Sequence, residues 1–112
     1  MVYRVLLTDH AKRNLRDLKR HGRKSMLQIQ AALEELQRDP FGLTQELQSP
    51  LAGYRSLHVG RFRAVIRIEQ AKVLVYILAV GWHESGSRDD IYQEVLRALR
   101  GGALRLPRES SN

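Results

Sequence analysis

The sequence has no cysteine, which excludes a disulfide framework and any thiolate zinc site. It is short of acid as well. Twelve Asp and Glu stand against nineteen Lys and Arg, for a net charge of +7. Such an imbalance in so short a chain points to a polyanionic partner, most simply nucleic acid, with a merely solubilising surface as the bland alternative. There is no cluster of acidic residues of the sort a two-metal nuclease uses, and no cofactor is expected. Long hydrophobic runs are missing too. The most apolar stretch, Val73 to Trp82, is half of the roughly 20 residues a membrane-spanning helix needs. The N-terminus reaches Asp9 too early to hold the apolar core of a signal peptide. A soluble, cytoplasmic protein without a membrane partner is the expectation.

What is present is ordinary globular material, 43% hydrophobic and 28% charged, in 112 residues. That length buries one core well, so a single domain is expected over residues 1–102, with 103–112 as a flexible tail. Val2 to Leu7 reads as a short strand. Thr8 or Asp9 can cap a helix running to Lys19, with Ala11, Leu15 and Leu18 as its apolar stripe. His21-Gly22 breaks it. A second helix opens near Ser25, with Gln28 completing a possible capping box. It carries Met26, Ile29, Leu33 and Leu36 and stops at Asp39-Pro40. Residues 40 to 53 read as a loop with one helical turn.

The period then changes from 3.6 to 2. Tyr54–Val59, Phe62–Glu69 and Lys72–Trp82 predict a three-stranded antiparallel meander with short connections. A final helix, Asp90 to Arg100, carries Ile91, Val95 and Leu99 and ends at Gly101-Gly102. The fold class is therefore α+β: N-terminal strand, helical hairpin, meander, C-terminal helix.

Two clusters carry candidate chemistry. On the middle meander strand, Arg61, Arg63 and Arg67 alternate with Phe62, Ala64, Ile66 and Ile68. Apolar groups fill one face and guanidinium groups line most of the other, with Val65 among them. A two-residue turn at Gly60-Arg61 sets His58 opposite Arg63, about 5 Å away on the same face. Between Gly53 and Ile68 there are four arginines, counting Arg55, and no carboxylate. A salt-bridged, solvent-facing sheet is the alternative reading. The second cluster, His83, Arg88 and Tyr92, brackets a polar turn where the last strand ends beside Trp82. It could supply acid–base groups and phosphate stabilisation.

The run from Leu51 to Ile68, with Gly53, Tyr54-Arg55, His58-Val59-Gly60 and Phe62-Arg63 in order, resembles the pattern of RelE/ParE-type toxins. Val75 to Glu84 is similar to the family strand that ends in a Val-Gly pair and a basic residue. Ser87-Arg88-Asp89-Asp90-Ile91-Tyr92 resembles the terminal element of the ribonuclease branch. The likeness spans residues 2 to 100. It implies a RelE-like microbial ribonuclease-type fold and the toxin of a type II toxin–antitoxin pair. RelE-like members cut messenger RNA in the ribosomal A site of the 30S subunit, with the RNA's own 2′-hydroxyl as nucleophile and no metal.

Carried over by position, the resemblance implies that Arg63 stabilises the scissile phosphate. Arg55 and His58 bind RNA or assist as a base, and the alternation on the middle strand, rather than the resemblance, adds Arg61 and Arg67 as RNA or phosphate contacts. Tyr92 stacks on a base, orients the 2′-hydroxyl or takes its proton. His83 falls where the family more often has arginine, and Arg88 where one branch has a basic residue. Histidines at 58 and 83 place two groups that titrate near neutrality in the site, with His83 the expected acid. Ser85 stands where a second basic residue is usual. The family also implies a cognate antitoxin that covers the basic face in a hetero-oligomer. The alternative is a ParE-like toxin that inhibits DNA gyrase and has no ribonuclease activity.

Overall fold

The computed structural model describes residues 2–108. In chain order the elements are β1 (Arg4–Leu7), α1 (Asp9–Leu18), a 3-10 turn (Lys19–His21), α2 (Arg23–Glu35), α3 (Pro40–Leu43) and β2 (Thr44–Glu46). These are followed by β3 (Arg55–Val59), β4 (Phe62–Glu69), β5 (Leu74–Trp82) and α4 (Ile91–Arg100). The meander β3-β4-β5 lies at the centre of a five-stranded sheet of order β1-β5-β4-β3-β2. β1, the expected N-terminal strand, joins β5 in parallel, and β2, which was not expected, joins β3 antiparallel, so the three-stranded meander becomes a five-stranded sheet. Among the described residues no helix is long and apolar enough to cross a membrane.

One face of the sheet carries the helical hairpin. Ile29 and Leu33 from α2, Leu36 at its C-cap, and Ala11 and Leu18 from α1 bury themselves against Leu57, Phe62, Ala64, Ile66, Val75 and Ile77. Each large aliphatic group so buried is worth about 1.5–3 kcal/mol. The other face carries α4, whose Ile91 and Val95 pack on Val65 and Ala79.

Thr8 ties the two halves together. Its hydroxyl accepts from Ala11 N at 3.0 Å, capping α1, and donates to Leu78 O at 2.7 Å. α1 then runs along the edge of β5 that β1 leaves uncovered, and Asn14 Oδ1 accepts from Val80 N at 3.0 Å. Asn14 Nδ2 and His10 Nε2 both reach Glu94 Oε2 of α4, at 3.0 and 2.7 Å. The first helix therefore holds the last one in place.

Several local expectations need correcting. α2 starts at Arg23 behind Gly22 (φ 97°), where no side chain caps it. A backbone bond, Met26 N to Gly22 O at 3.2 Å, closes that turn, so the Ser25–Gln28 box does not form. The 40–53 stretch does hold one helical turn, capped by Asp39, but it also contributes β2. The last strand begins at Leu74, not Lys72, because Gln70–Lys72 form a 3-10 turn and Val73 takes a left-handed φ of 55°. Tyr54 lies outside β3, and Asp90 caps α4 without joining it. Of the expected tail, Leu104 packs against both clusters of the α4 face, while 109–112 lie outside the described residues.

A bulge decides what faces the last helix. Val65 pairs with Ala79, whereas Ile66 pairs with Ile77, so Leu78 is an extra residue on β5. The bulge shifts the alternation. Val75, Ile77 and then Val80 face the hairpin, and Ala79 faces α4. Gly81 therefore lies under α4, where a Cβ would come within 2.8 Å of Ile91 Cδ1.

Candidate active site

The open end of the sheet beneath α4 gathers side chains from β3, β4, the end of β5 and the start of α4. The register is as the two-residue turn requires: His58 pairs with Arg63 and Val59 with Phe62. His58 and Arg63 thus share the α4 face. His58 is held below its ordinary pKa of 6.5 by partial burial first, then by the positive charge of Arg63 and of His83. It is a neutral imidazole at neutral pH, able to accept a proton.

His83 follows β5 and turns its Nδ1 to Asp90 Oδ1 at 2.6 Å. Asp90 is 4% exposed and accepts three hydrogen bonds. Its Oδ1 also accepts from Glu84 N at 2.7 Å, and Oδ2 accepts from Tyr92 N at 2.9 Å. One carboxylate thus caps α4, closes the β5–α4 loop and orients the histidine. With Nδ1–H committed to Asp90, Nε2 is the nitrogen left for a substrate, and it has no hydrogen bond among the described residues. The Tyr92 ring meets His83 edge-on, centroids 5.0 Å apart. Its hydroxyl is 2.7 Å from Ser56 Oγ on β3, which is buried. The tyrosine is therefore pinned at both ends.

Arg63 is folded back on its own turn. Its Nη1 donates to Gly60 O at 2.6 Å and Phe62 O at 2.9 Å, while Nε is buried with no hydrogen-bond partner among the described residues. An unmet buried donor costs about 1–3 kcal/mol.

The other arginines are placed differently. Arg55 leaves the α4 face altogether. It donates to Thr44 Oγ1, Thr44 O and Phe41 O, lies over the Phe41 ring at 5.4 Å and pairs with Glu46 at 3.4 Å. It is committed to holding α3 and β2 against the sheet. Arg67 pairs with Glu69 at 2.8 Å, two residues on, so the basic face is locally neutralised there. Arg61 turns its guanidinium over the Trp82 ring, 5.6 Å from the centroid. Arg88 is exposed on the β5–α4 loop, and its carbonyl accepts from Arg97 Nη1 at 3.0 Å. The structure brings together His58, Arg63, His83 and Tyr92, and adds Asp90 and Ser56.

Over residues 5–85 the sequence matches the family described as ParE toxin of type II toxin-antitoxin system, parDE. The chain belongs to the RelE/ParE superfamily of type II toxins. Solved structures agree in fold. The toxin–antitoxin complex RelBE2 from Mycobacterium tuberculosis is 27% identical, with a TM-score of 0.67 over 74% of this chain and 93% of that one. A double mutant of Escherichia coli toxin RelE in the free state is 21% identical, TM-score 0.64, over 88% and 99%. The YoeB–YefM complex from Staphylococcus aureus is 18% identical, TM-score 0.57, over 75% and 100%. No curated protein matches the sequence.

Two residues of the candidate site, Asp90 and Ser56, are only partly legible in the sequence. Asp90 precedes the apolar helix start Ile91 and suits an N-cap. Its bond to His83 depends on how the intervening loop folds, and nothing local shows that. Ser56 stands two residues before His58 on the same strand, so alternation alone places it on the same face.

Proposed function

We propose that this toxin is an endoribonuclease that cuts messenger RNA, with the RNA's own 2′-hydroxyl as nucleophile and no metal. The observation that carries the reading is the His83–Asp90 pair, with His58 and Arg63 on the same face. In this reading His58, neutral at pH 7, takes the 2′-hydroxyl proton. O2′ bonds to phosphorus, the P–O5′ bond breaks, and the leaving 5′-oxygen takes a proton from His83 Nε2. Asp90 holds the His83 ring while it carries its second proton. Arg63 meets the charge on the phosphate, and Tyr92 orients the ribose. The products are a 2′,3′-cyclic phosphate and a 5′-hydroxyl end. Arg61 and Arg88, exposed on either side, are further phosphate contacts, whereas Arg55 and Arg67 have the weaker claim because carboxylates already pair with them.

The target is messenger RNA in the A site of the 30S subunit, in the cytoplasm, and the silencing partner is a cognate antitoxin in a hetero-oligomer. RelBE2 and YoeB–YefM are toxin–antitoxin complexes of similar fold, which supports such a partner. A second reading rests on the family description, which names ParE: a toxin that inhibits DNA gyrase without cutting RNA. Ribosomes programmed with labelled messenger RNA, run beside a gyrase supercoiling assay, separate the two. Cut transcripts with gyrase unaffected support the ribonuclease. Intact transcripts with gyrase poisoned overturn it.

A further inference from the structure

At the tip of the sheet, on the far side of β5 from His83, lies an aromatic group that the reaction above does not use. Trp82 and His21 stack with centroids 5.7 Å apart and planes 13° from parallel. Phe62, buried at 8% exposure, meets both edge-on, at 5.2 Å from Trp82 and 5.4 Å from His21. It fixes the pair from beneath. The Arg61 guanidinium lies over Trp82, and no carboxylate pairs with it among the described residues. His21 is exposed, on the turn between α1 and α2.

Two features argue that this stack has a nucleic-acid ligand. It sits between two acid-free basic stretches. No Asp or Glu occurs between Asp17 and Glu34, where Lys19, Arg20, Arg23 and Lys24 flank His21, nor between Glu46 and Glu69 around Arg61. It is also tied to the reactive end: His83 N donates to Arg61 O at 2.9 Å. Adjacent side chains on a strand point to opposite faces. A single strand of RNA crossing the tip of the β3–β4 turn would therefore meet His83 on one side and Trp82 on the other. Rigid rings beside unpaired cations are what sequence-tolerant single-strand binding requires: bases stack on the rings and the cations follow the phosphates.

We propose that Trp82, His21 and Arg61 form a stacking platform for one unpaired base of the RNA, next to the nucleotide that is cut. This rests on the ribonuclease reading. His21 supplies the exposed ring, Trp82 the second layer, and Arg61 the positive charge that holds the adjoining phosphate at the tip.

Trp82 is the chain's only tryptophan, so its fluorescence reports on the platform alone. The probe is a short single-stranded RNA with 2′-O-methyl groups, which binds without being cut, and its overall binding is followed by anisotropy. Quenching of Trp82 as the probe binds is the expected result. His21→Ala should weaken binding by about tenfold, within the range of one lost base stack, and His21→Phe should restore it. With cleavable RNA, His21→Ala should raise the concentration for half-maximal cleavage far more than it lowers the saturated rate. Because His21 is exposed, a thermal melt should show the variant folded. If the probe binds while Trp82 emission is unchanged and His21→Ala binds like the wild type, the platform is overturned and the ribonuclease reading survives. If the wild type neither binds the probe nor cuts RNA, both fall. Quenching by an acidic peptide but not by RNA would also overturn the proposal in favour of a protein partner.

Discussion

Replacing Asp90 separates its structural and chemical roles. The buried carboxylate accepts from His83 Nδ1, Glu84 N and Tyr92 N. Asp90→Ala removes the α4 cap, worth about 1 kcal/mol. It also strands the Glu84 N–H, whose bond to a charged acceptor is worth about 1.5–3 kcal/mol. The sum is roughly 2.5–4 kcal/mol, a large share of the 5–15 kcal/mol that holds a typical domain together. A domain of this size loses about 4–8 °C of Tm per kcal/mol, so the alanine variant should melt at least ~10 °C lower. Asp90→Asn keeps a single oxygen acceptor, so it can serve the Oδ1 donors or the helix cap but not both. Its oxygen can still accept from His83 and Glu84, but its amide meets the Tyr92 N–H donor to donor, so a loss of about 1–2 kcal/mol is expected. The asparagine cannot balance a charged His83, so single-turnover cleavage should fall by at least about 10²-fold, the low end of what one general acid contributes. Melts and cleavage rates measured on the same preparations decide it. An asparagine variant that stays folded and cuts at the wild-type rate would show that Asp90 has no part in the chemistry. An alanine variant with unchanged Tm would refute the three contacts themselves.

His58 should set the acid limb of the pH–rate profile. Its pKa is lowered from 6.5, so it loses its role as proton acceptor only as pH falls through that lower value. The limb should therefore lie below pH 6.5 and vanish in His58→Gln, as a cleavage profile from pH 4 upward would show. Tyr92→Phe leaves the buried Ser56 hydroxyl without its partner and should cost about 1–2 kcal/mol in denaturant unfolding. Adding Ser56→Ala should recover part of that, a double-mutant coupling that would be absent if the two hydroxyls did not interact. Gly81→Ala puts a methyl group 2.8 Å from Ile91 Cδ1 and should lower stability by about 1–3 kcal/mol by pushing α4 off the sheet. A melt unchanged from wild type would mean that α4 sits more loosely than described.

Hydrophobic period and turn length were enough to read much of this fold. The stripes of α1 and α2 bury as spaced, and the Gly60-Arg61 turn sets the register that brings His58 to Arg63. Elements whose partners are far away in sequence were not readable. β2 is three residues long and polar, and it is a strand only because β3 offers it an edge. β5 is apolar on both faces, so nothing in its composition marks the extra residue at Leu78 that turns Gly81 toward α4. The arginines show the same limit. Alternation places Arg63 and Arg67 on one face correctly, and Glu69, two residues on, with them, but it cannot see that Thr44 and Glu46 claim Arg55. His83 and Tyr92 stood out as residue types. The carboxylate and hydroxyl that fix them, Asp90 and Ser56, are ordinary residues until the chain is folded.

The central claim is that this toxin breaks RNA through the RNA's own 2′-hydroxyl, with histidines as acid and base. The most direct test takes ribosomes programmed with end-labelled messenger RNA, a single 2′-deoxy substitution at the cut site, and wild type beside His83→Ala. The account predicts cleavage by the wild type to a 2′,3′-cyclic phosphate and a 5′-hydroxyl end, none at the deoxy position, and a rate reduced by about 10²-fold or more in the variant. Cleavage that continues at the deoxy position, or that is untouched by loss of His83, would contradict it.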